Sequence, residues 1–343
     1  MKLAFLTTHL TGSGHFVRTV RLARAGQAAG HRVLVLTGGR ALPHVPSADL
    51  AVVQLPPLSV QDLDYGTLRD GEGQPATEAY LAARRQRIVT ELRAFQPDIL
   101  VTETFPLGRR ALAAEFEAAL AEAPRAVASV RDIPEPKPKR VAEAAGRLAS
   151  QYDALLVHGE ADFIPLSATW PLPEFASRTH HTGYIAGEAP PPISGGVVVA
   201  VGGGALGRAL LEAAAEAARH SSLPWRLLTT ETGLPPAPNL TIEPLTPDYP
   251  ALVAGARASI SLCGYNTAVE LARTETPAIL VPMADRGERE QTLRAEALAR
   301  YPGIELLREP SPEALLEALS RLPARRAPLP LRLDGARRSI EIL

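Results

Sequence analysis

Short aliphatic runs alternate with longer amphipathic stretches along the whole chain, and this alternation limits the possible folds more than any other feature of the sequence. Runs such as Lys2–Thr7, Arg32–Thr37 and Ala154–Val157 have the length and aliphatic character of buried strands. Stretches such as His15–Ala29 instead carry apolar residues at helical spacing. Strands separated by helices form parallel sheets that helices cover. The sequence therefore predicts an α/β fold.

The alternation occurs in two similar halves. Each half begins with a strand that runs into a glycine-rich turn, which contains Gly12 and Gly14 in the first half and Gly202, Gly203 and Gly204 in the second. We therefore expect two tandem Rossmann-like domains that face each other across a cleft, because ligands of such sheets bind at the carboxyl ends of the strands.

A stretch rich in Pro and Gly separates the two halves. Residues 186–194 have the composition of a stiff spacer rather than of a helix or strand. We place the boundary there, with an N-terminal domain over 1–187 and a C-terminal domain over 188–323. The tail 324–343 could pack back on the first domain.

Charge and cysteine content exclude several classes of protein. The 36 Lys and Arg residues against 37 Asp and Glu leave a net charge of −1, so there is no overall basic character to attract nucleic acid or an anionic membrane. Cys263 is the single cysteine, which excludes an internal disulfide and the usual zinc spacings. We expect a cytoplasmic protein with no nucleic-acid partner, at most peripheral membrane contact, and a monomeric or simple homodimeric state.

The first candidate site lies in the turn Gly12-Ser13-Gly14-His15, between a predicted strand and a predicted helix. Glycines there allow backbone N–H groups to approach an anion or a sugar, and the helix N-terminus adds partial positive charge. The third glycine of the dinucleotide fingerprint is missing, which disfavours NAD. His15 could take a proton from a hydroxyl or a water. The alternative is a capping or packing histidine.

The second candidate site follows the predicted strand that ends at Leu262. The turn from Gly264 to Asn266 leads into a helix, whose first amides and Thr267 hydroxyl could hold a phosphate. Glu270 lies one turn further, where a carboxylate can accept hydrogen bonds from both ribose hydroxyls. The alternative is that Glu270 is an ordinary acidic residue, which is favourable near a helix N-terminus and binds no ligand.

The third candidate site is the polar loop from Pro282 to Gln291, which leads from a strand into a helix. Carboxylate and amide groups at that helix start suit the recognition of sugar hydroxyls. A solvated charged loop is the alternative.

These three segments, in this order, resemble the inverting glycosyltransferases of the B-type fold, and in pattern the N-acetylglucosaminyltransferases that complete lipid II. The resemblance implies that Glu270 holds the ribose of UDP, that Gly264 to Thr267 contact the diphosphate, and that His15 lies beside the reacting centre. The N-terminal domain would then be the acceptor side, and the C-terminal domain would bind the nucleotide sugar.

The same resemblance implies further contacts with the donor. Glu290 and Gln291 would contact its sugar, Gly203 and Gly204 belong to a second glycine loop, and Leu245 lies where the base is received. Glu290 stands where the family has the first of two glutamines. The implied nucleotide-sugar residues are Gly14, Gly203, Gly204, Leu245, Gly264, Asn266, Thr267, Glu270, Glu290 and Gln291.

A narrower resemblance is to a group of bacterial predicted glycosyltransferases of unassigned substrate, through residues 102–110, 129–133 and 333–336. Glu103, Arg109 and Arg131 become candidates to bind the acceptor or a leaving phosphate. Arg18, three residues after His15 in the first loop, is a further candidate for the same role. A structural ion pair between Arg131 and Asp132 is the alternative for that arginine.

The implied reaction transfers a hexose or N-acetylhexosamine from a UDP-sugar to an acceptor hydroxyl with inversion. Either His15 or Glu103 would be the base, and we expect neither a metal nor a cofactor. Two alternatives remain open. The first loop also resembles UDP-sugar hydrolases in which the histidine activates water, and the chain could be a catalytically silent binder of nucleotide sugars.

Overall fold

The computed structural model describes residues 1–61, 64–135, 137–201, 207–282 and 289–343. The chain forms two compact units, one of Met1–Ile185 with Asp334–Leu343 and the other of Ala186–Leu333. The expected boundary after residue 187 lies close to this division.

The tail differs from the expectation. Only its last part, from Asp334, returns to the first unit, and residues 324–333 remain with the second. One reason is Arg326, whose buried guanidinium donates to the carbonyl of Thr276 at 2.8 Å and to that of Leu271. Removing this segment from the second unit would leave a buried cation without its acceptors.

The first unit contains a parallel sheet. Its strands are β1 (Lys2–Thr7), β2 (Arg32–Gly39), β3 (Ala51–Leu58), β4 (Ile99–Glu103), β5 (Arg125–Arg131), β6 (Ala154–His158) and β7 (Thr179–His181). They follow the order β3-β2-β1-β4-β5-β6-β7. The direction of winding reverses between β1 and β4, so the crevice beyond their carboxyl ends is where such a sheet binds ligands.

Helices cover both faces of this sheet. They are α1 (Gly14–Ala28), α2 (Glu78–Phe95), α3 (Ala113–Leu120), α4 (Val141–Gln151) and, from the tail, α10 (Gly335–Ile342). Alternate residues of β1 enter different cores, because successive side chains of a strand point to opposite faces. Ala4 and Leu6 pack in the core that includes residues of α2, α3 and α4, whereas Leu3 and Phe5 pack with residues of α1 and α10.

The second unit repeats this plan. Its strands are β8 (Val197–Ala200), β9 (Trp225–Leu228), β10 (Leu240–Glu243), β11 (Ala258–Ser261), β12 (Ala278–Leu280) and β13 (Ile304–Leu306). Its helices are α5 (Arg208–Arg219), α6 (Tyr249–Gly255), α7 (Tyr265–Ala272), α8 (Glu290–Leu298) and α9 (Pro312–Arg321). The parallel order β10-β9-β8-β11-β12-β13 places the reversal between β8 and β11. The predicted α/β fold with two Rossmann-like domains is thus confirmed.

Local sequence signals mark several helix ends. Gly30, which was expected to end the first helix, follows α1 in the left-handed region at φ 82°. The hydroxyl of Thr77 accepts a hydrogen bond from the Tyr80 amide and caps α2, and Ser311 caps α9 in the same way. None of the helices in the described part of the chain is both long and apolar enough to span a membrane.

Candidate active site

His15 and Glu103 meet at the reversal point of the first sheet. His15 lies in the first turn of α1, directly after the loop that follows β1, and Glu103 is the last residue of β4. The Nδ1 atom of His15 lies 2.9 Å from Oε1 and 2.8 Å from Oε2 of Glu103. Both residues are sequence-predicted candidates for the base, and the structure joins them into one pair.

Further contacts hold the Glu103 carboxylate in its ionised form. Arg18, one turn along α1 from His15, forms an ion pair with Oε1, and the Thr104 hydroxyl donates to Oε2 at 2.7 Å. Burial by itself would raise the pKa of Glu103, but His15 and Arg18 hold it well below its usual range. Arg18 was predicted to bind an acceptor or a phosphate, whereas its buried guanidinium is engaged with this carboxylate.

The His15 imidazole is uncharged at neutral pH. Burial lowers its pKa to about 4, assisted by the positive charges of Arg109 and Arg18 and opposed by Glu103. With a carboxylate beside Nδ1, the proton of the neutral ring belongs on Nδ1, and Nε2 carries a lone pair. The His15 side chain is 19% exposed against 3% for Glu103. His15 is therefore the more accessible of the two candidate residues, and Glu103 is placed to orient its ring.

Two other arginines lie at this edge of the sheet. Arg131 ends β5, and Arg109 follows β4 with a left-handed backbone at φ 59°. The Nε of Arg109 donates to the carbonyl of Thr8 at 2.7 Å. Non-glycine residues in this region of backbone space concentrate at functional sites.

His158 is a buried histidine that no motif in the sequence singles out. It ends β6, with Nε2 2.7 Å from the Ser129 hydroxyl and Nδ1 3.0 Å from the Thr182 hydroxyl. Burial lowers its pKa to about 3, and the charge of Arg18 contributes in the same direction. The signal in the sequence was its position at the end of a strand, where polar side chains line the ligand edge.

The lowered pKa values of His15 and His158 predict that the first unit loses stability in acid. His15 and His158 bind protons less readily when folded, so the unfolded chain takes up more protons between their ordinary pKa of 6.5 and their folded values of about 4 and 3. Each contributes stability that is present above pH 6.5 and declines by about 1.4 kcal/mol per pH unit below it. Urea unfolding at pH 7 and pH 5 measures this decline.

The His158→Gln variant should show a shallower decline than the unmodified chain. His220→Gln is the control, because His220 is 63% exposed beside Glu216. An unchanged pH dependence in His158→Gln would contradict the assignment.

The second unit places the predicted phosphate turn at the start of α7. Gly264 precedes the helix with φ −63° and ψ 161°, and Cys263 before it has a left-handed backbone at φ 66°. The buried Arg294 of α8 fixes this turn by donating to the carbonyl of Cys263 at 2.8 Å. A Cβ atom on Gly264 would meet no described atom within 4 Å, so there is open space beside the turn.

The first turn of α7 carries polar groups suited to a ligand. Oδ1 of Asn266 is buried and has no hydrogen-bond partner within the described residues. The Thr267 hydroxyl accepts a hydrogen bond from the Tyr249 hydroxyl at 3.4 Å. Glu270 follows one turn later, buried and ion-paired with Arg273. A buried acceptor such as Asn266 Oδ1 usually finds a partner, which a bound ligand can supply.

The structure gives less support to the other residues that were predicted to contact the donor. Glu290 begins α8, but its carboxylate is buried and pairs with Arg294 at 2.7 Å. Gln291 is half-buried next to it, and Leu245 packs with Tyr249 against a small core. Gly203 and Gly204, like residues 283–288 of the third candidate loop, lie outside the described residues. Within the described ranges, no three His, Cys, Asp or Glu residues are grouped to hold a metal.

Comparison with known proteins gives two curated sequence matches of limited length. Over 76 residues the chain is 34% identical to the UDP-N-acetylglucosamine–N-acetylmuramyl-(pentapeptide) pyrophosphoryl-undecaprenol N-acetylglucosamine transferases of Prochlorococcus marinus strains NATL1A and NATL2A. That segment is 22% of this chain and 22% of those proteins, so the chain spans about a fifth of the length of the curated relatives it matches. No protein-family model matches the chain.

Solved structures match over the full length. The MurG structure from Acinetobacter baumannii superimposes with a TM-score of 0.60 at 14% identity, over 100% of this chain and 99% of that one. The glycosyltransferase VinC, solved with DTDP, gives 0.59 at 14% identity, over 100% of this chain and 94% of that one. Both consist of the two-domain fold that the motifs imply. The chain therefore has the B-type glycosyltransferase fold.

Proposed function

We propose that this protein transfers a sugar from a UDP-sugar to a hydroxyl group of an acceptor, with inversion at the anomeric carbon. The observation that carries the proposal is the pairing of a neutral, partly accessible His15 with the buried, ionised Glu103. A carboxylate that fixes the Nδ1 proton of an imidazole leaves Nε2 as a general base, which is the arrangement that activates hydroxyl nucleophiles in other enzymes.

The first unit performs the proton transfer. Nε2 of His15 accepts the proton of the acceptor hydroxyl while the hydroxyl oxygen forms a bond to the anomeric carbon. The charge that develops on the imidazole is compensated by Glu103, which stays ionised because Arg18 is paired with it. Glu103 therefore acts through His15 as a positioning residue and does not itself remove the proton.

The second unit is proposed to bind the donor. The amides at the start of α7 and the Thr267 hydroxyl bind the diphosphate, and Glu270 accepts hydrogen bonds from the ribose. When the bond between the anomeric carbon and the diphosphate oxygen breaks, the electron pair leaves with UDP. Partial positive charge at the helix N-terminus stabilises that charge more in the transition state than in the ground state. We expect this arrangement to work without a metal ion.

Product analysis tests the proposal. The protein is incubated with a panel of UDP-sugars, with and without cell-extract acceptors, and UDP, UMP and sugar 1-phosphate are followed separately. Acceptor-dependent UDP release supports transfer. Acceptor-independent release of UMP and sugar 1-phosphate would identify a hydrolase instead, and nucleotide binding without any product would identify a silent binder.

Glu270→Gln is expected to weaken UDP binding by about 10–100-fold, because charge-assisted hydrogen bonds to the ribose contribute about 1.5–3 kcal/mol. Titration calorimetry with UDP measures the change, and thermal unfolding checks that the variant is folded. Glu296→Gln on α8 is the control, since Glu296 is 41% exposed and pairs with Arg308. Equal affinity in Glu270→Gln and the unmodified chain would remove Glu270 from the nucleotide site.

A further inference from the structure

Arg109 is a fixed cation close to the candidate base. One of its N–H groups donates to the carbonyl at Thr8, just beyond the end of β1, and the residue is half-buried. Its guanidinium carries five N–H donors. Of these, only the Nε group has a hydrogen-bond partner within the described part of the chain.

The nearby Glu103 carboxylate already has ion-pair and hydrogen-bond partners. Glu103 acts electrostatically on Arg109, but its oxygens are bonded to Arg18, His15 and Thr104. No described carboxylate lies within the 4.0 Å of a salt bridge to Arg109. Arg109 therefore differs from Arg18, whose charge the same carboxylate compensates.

The arginines near Arg109 act against its charge, and Glu103 offsets them only in part because it forms no ion pair with Arg109. Arg131 and Arg18 both act on it with positive charge, and burial together with these charges lowers the pKa of Arg109. The phenol of Tyr65 opposes this effect, and Tyr65 is 48% exposed. A half-buried guanidinium in such surroundings gains free energy when an anion binds to it.

The backbone also indicates a specific role. Arg109 holds a left-handed conformation at φ 59°, directly after Gly108, at a position where glycine would be free of strain. The left-handed backbone of Arg109 costs stability that a glycine at this position would not cost. The arginine is therefore present for its guanidinium. Planar N–H groups of this kind bind carboxylate and phosphate oxygens in pairs.

We propose that Arg109 binds an anionic group, a carboxylate or a phosphate, of the acceptor and so brings a neighbouring hydroxyl to His15. This inference rests on the proposed transferase function, because it names the class of acceptor that the first unit selects. The acceptor is then a hydroxy acid or a phosphorylated alcohol rather than a neutral sugar or alcohol.

Three related probes test the anion site directly, without turnover. Glycerol 1-phosphate, glycerate and glycerol differ in the charged group while each retains a vicinal hydroxyl arrangement. Their binding to the full chain is followed by NMR titration of the histidine side-chain signals. We expect glycerol 1-phosphate, glycerate or both to bind at least about tenfold more tightly than glycerol, and the stronger of the two tells phosphate from carboxylate.

Matched variants assign the binding to Arg109. Arg109→Gly removes the cation while relaxing the left-handed backbone, so we expect it to fold and to lose the preference for charged probes. Arg109→Lys should keep part of the preference through charge alone. Arg110→Met is the control, because Arg110 is 63% exposed and faces Glu143 at 3.5 Å, and it should bind the probes as the unmodified chain does.

The outcomes separate this inference from the proposed function. Equal binding of charged and neutral probes, or a preference that survives in Arg109→Gly, would overturn the anion site even if the protein proves to be a transferase. Conversely, the binding preference can depend on Arg109 while the protein releases no UDP with any acceptor. That result would leave the anion site in place and reject the transferase function.

Discussion

Replacing His15 by Gln is expected to lower acceptor-dependent UDP release by about 10²–10⁴-fold, the usual contribution of a general base. Binding of the UDP-sugar should be unchanged, because the proposed donor site lies in the other unit. The glutamine amide can still donate to Glu103, so the buried carboxylate keeps a partner and the fold is maintained. Single-turnover kinetics with calorimetric measurement of UDP binding tests both statements.

A matched histidine separates catalysis from general effects on the first unit. His31 lies after α1 with Nδ1 3.5 Å from the N-terminal ammonium, so His31→Gln should turn over at the normal rate. Equal turnover in His15→Gln and in the unmodified chain would show that the imidazole is not the base.

Breaking the buried ion pair between Arg18 and Glu103 should have the largest effect on stability. Both side chains are at most 3% exposed, and Arg18→Met would leave the Glu103 carboxylate in the interior without its ion-pair partner. We expect the free energy of unfolding at pH 7 to fall by about 3–5 kcal/mol. Without the arginine, the pKa of Glu103 should rise, because one of the charges that oppose the effect of burial is then missing.

A double-mutant cycle tests the pairing of Arg18 and Glu103. Arg18→Met combined with Glu103→Gln removes both charges, so the double variant should lose much less stability than the sum of the single variants. Arg24→Met is the surface control, since the Arg24 and Asp49 side chains are 43% and 48% exposed and such a pair contributes about 0–1 kcal/mol. Additive losses in urea unfolding would contradict a coupled buried pair.

The fold could be predicted because its determinants are local. Buried aliphatic runs at strand length, helical spacing between them and a helix-ending Gly30 are each visible within a few residues of sequence. The division of the tail could not be predicted in this way. It depends on where Arg326 finds its acceptors, and these belong to residues far away along the chain.

The candidate site was predicted residue by residue but not as a network. His15 and Glu103 are 88 positions apart, and their contact follows only when β1 and β4 are neighbours in the sheet. The role of Arg18 depends on the same contact. The pairing of Glu290 with Arg294 is different, because the two residues are four positions apart on one helix and this spacing was readable.

The return of α10 to the first unit has a consequence for how the chain is made. Gly335 fits closely there, since its amide donates to the Tyr184 carbonyl at 3.0 Å and a Cβ atom would lie 2.3 Å from the Gly183 oxygen. Ile340 packs in the same core as Leu3 and Phe5. During synthesis from the N-terminus this core stays open until the whole second unit has left the ribosome. The unit that begins first is therefore the one that is completed last.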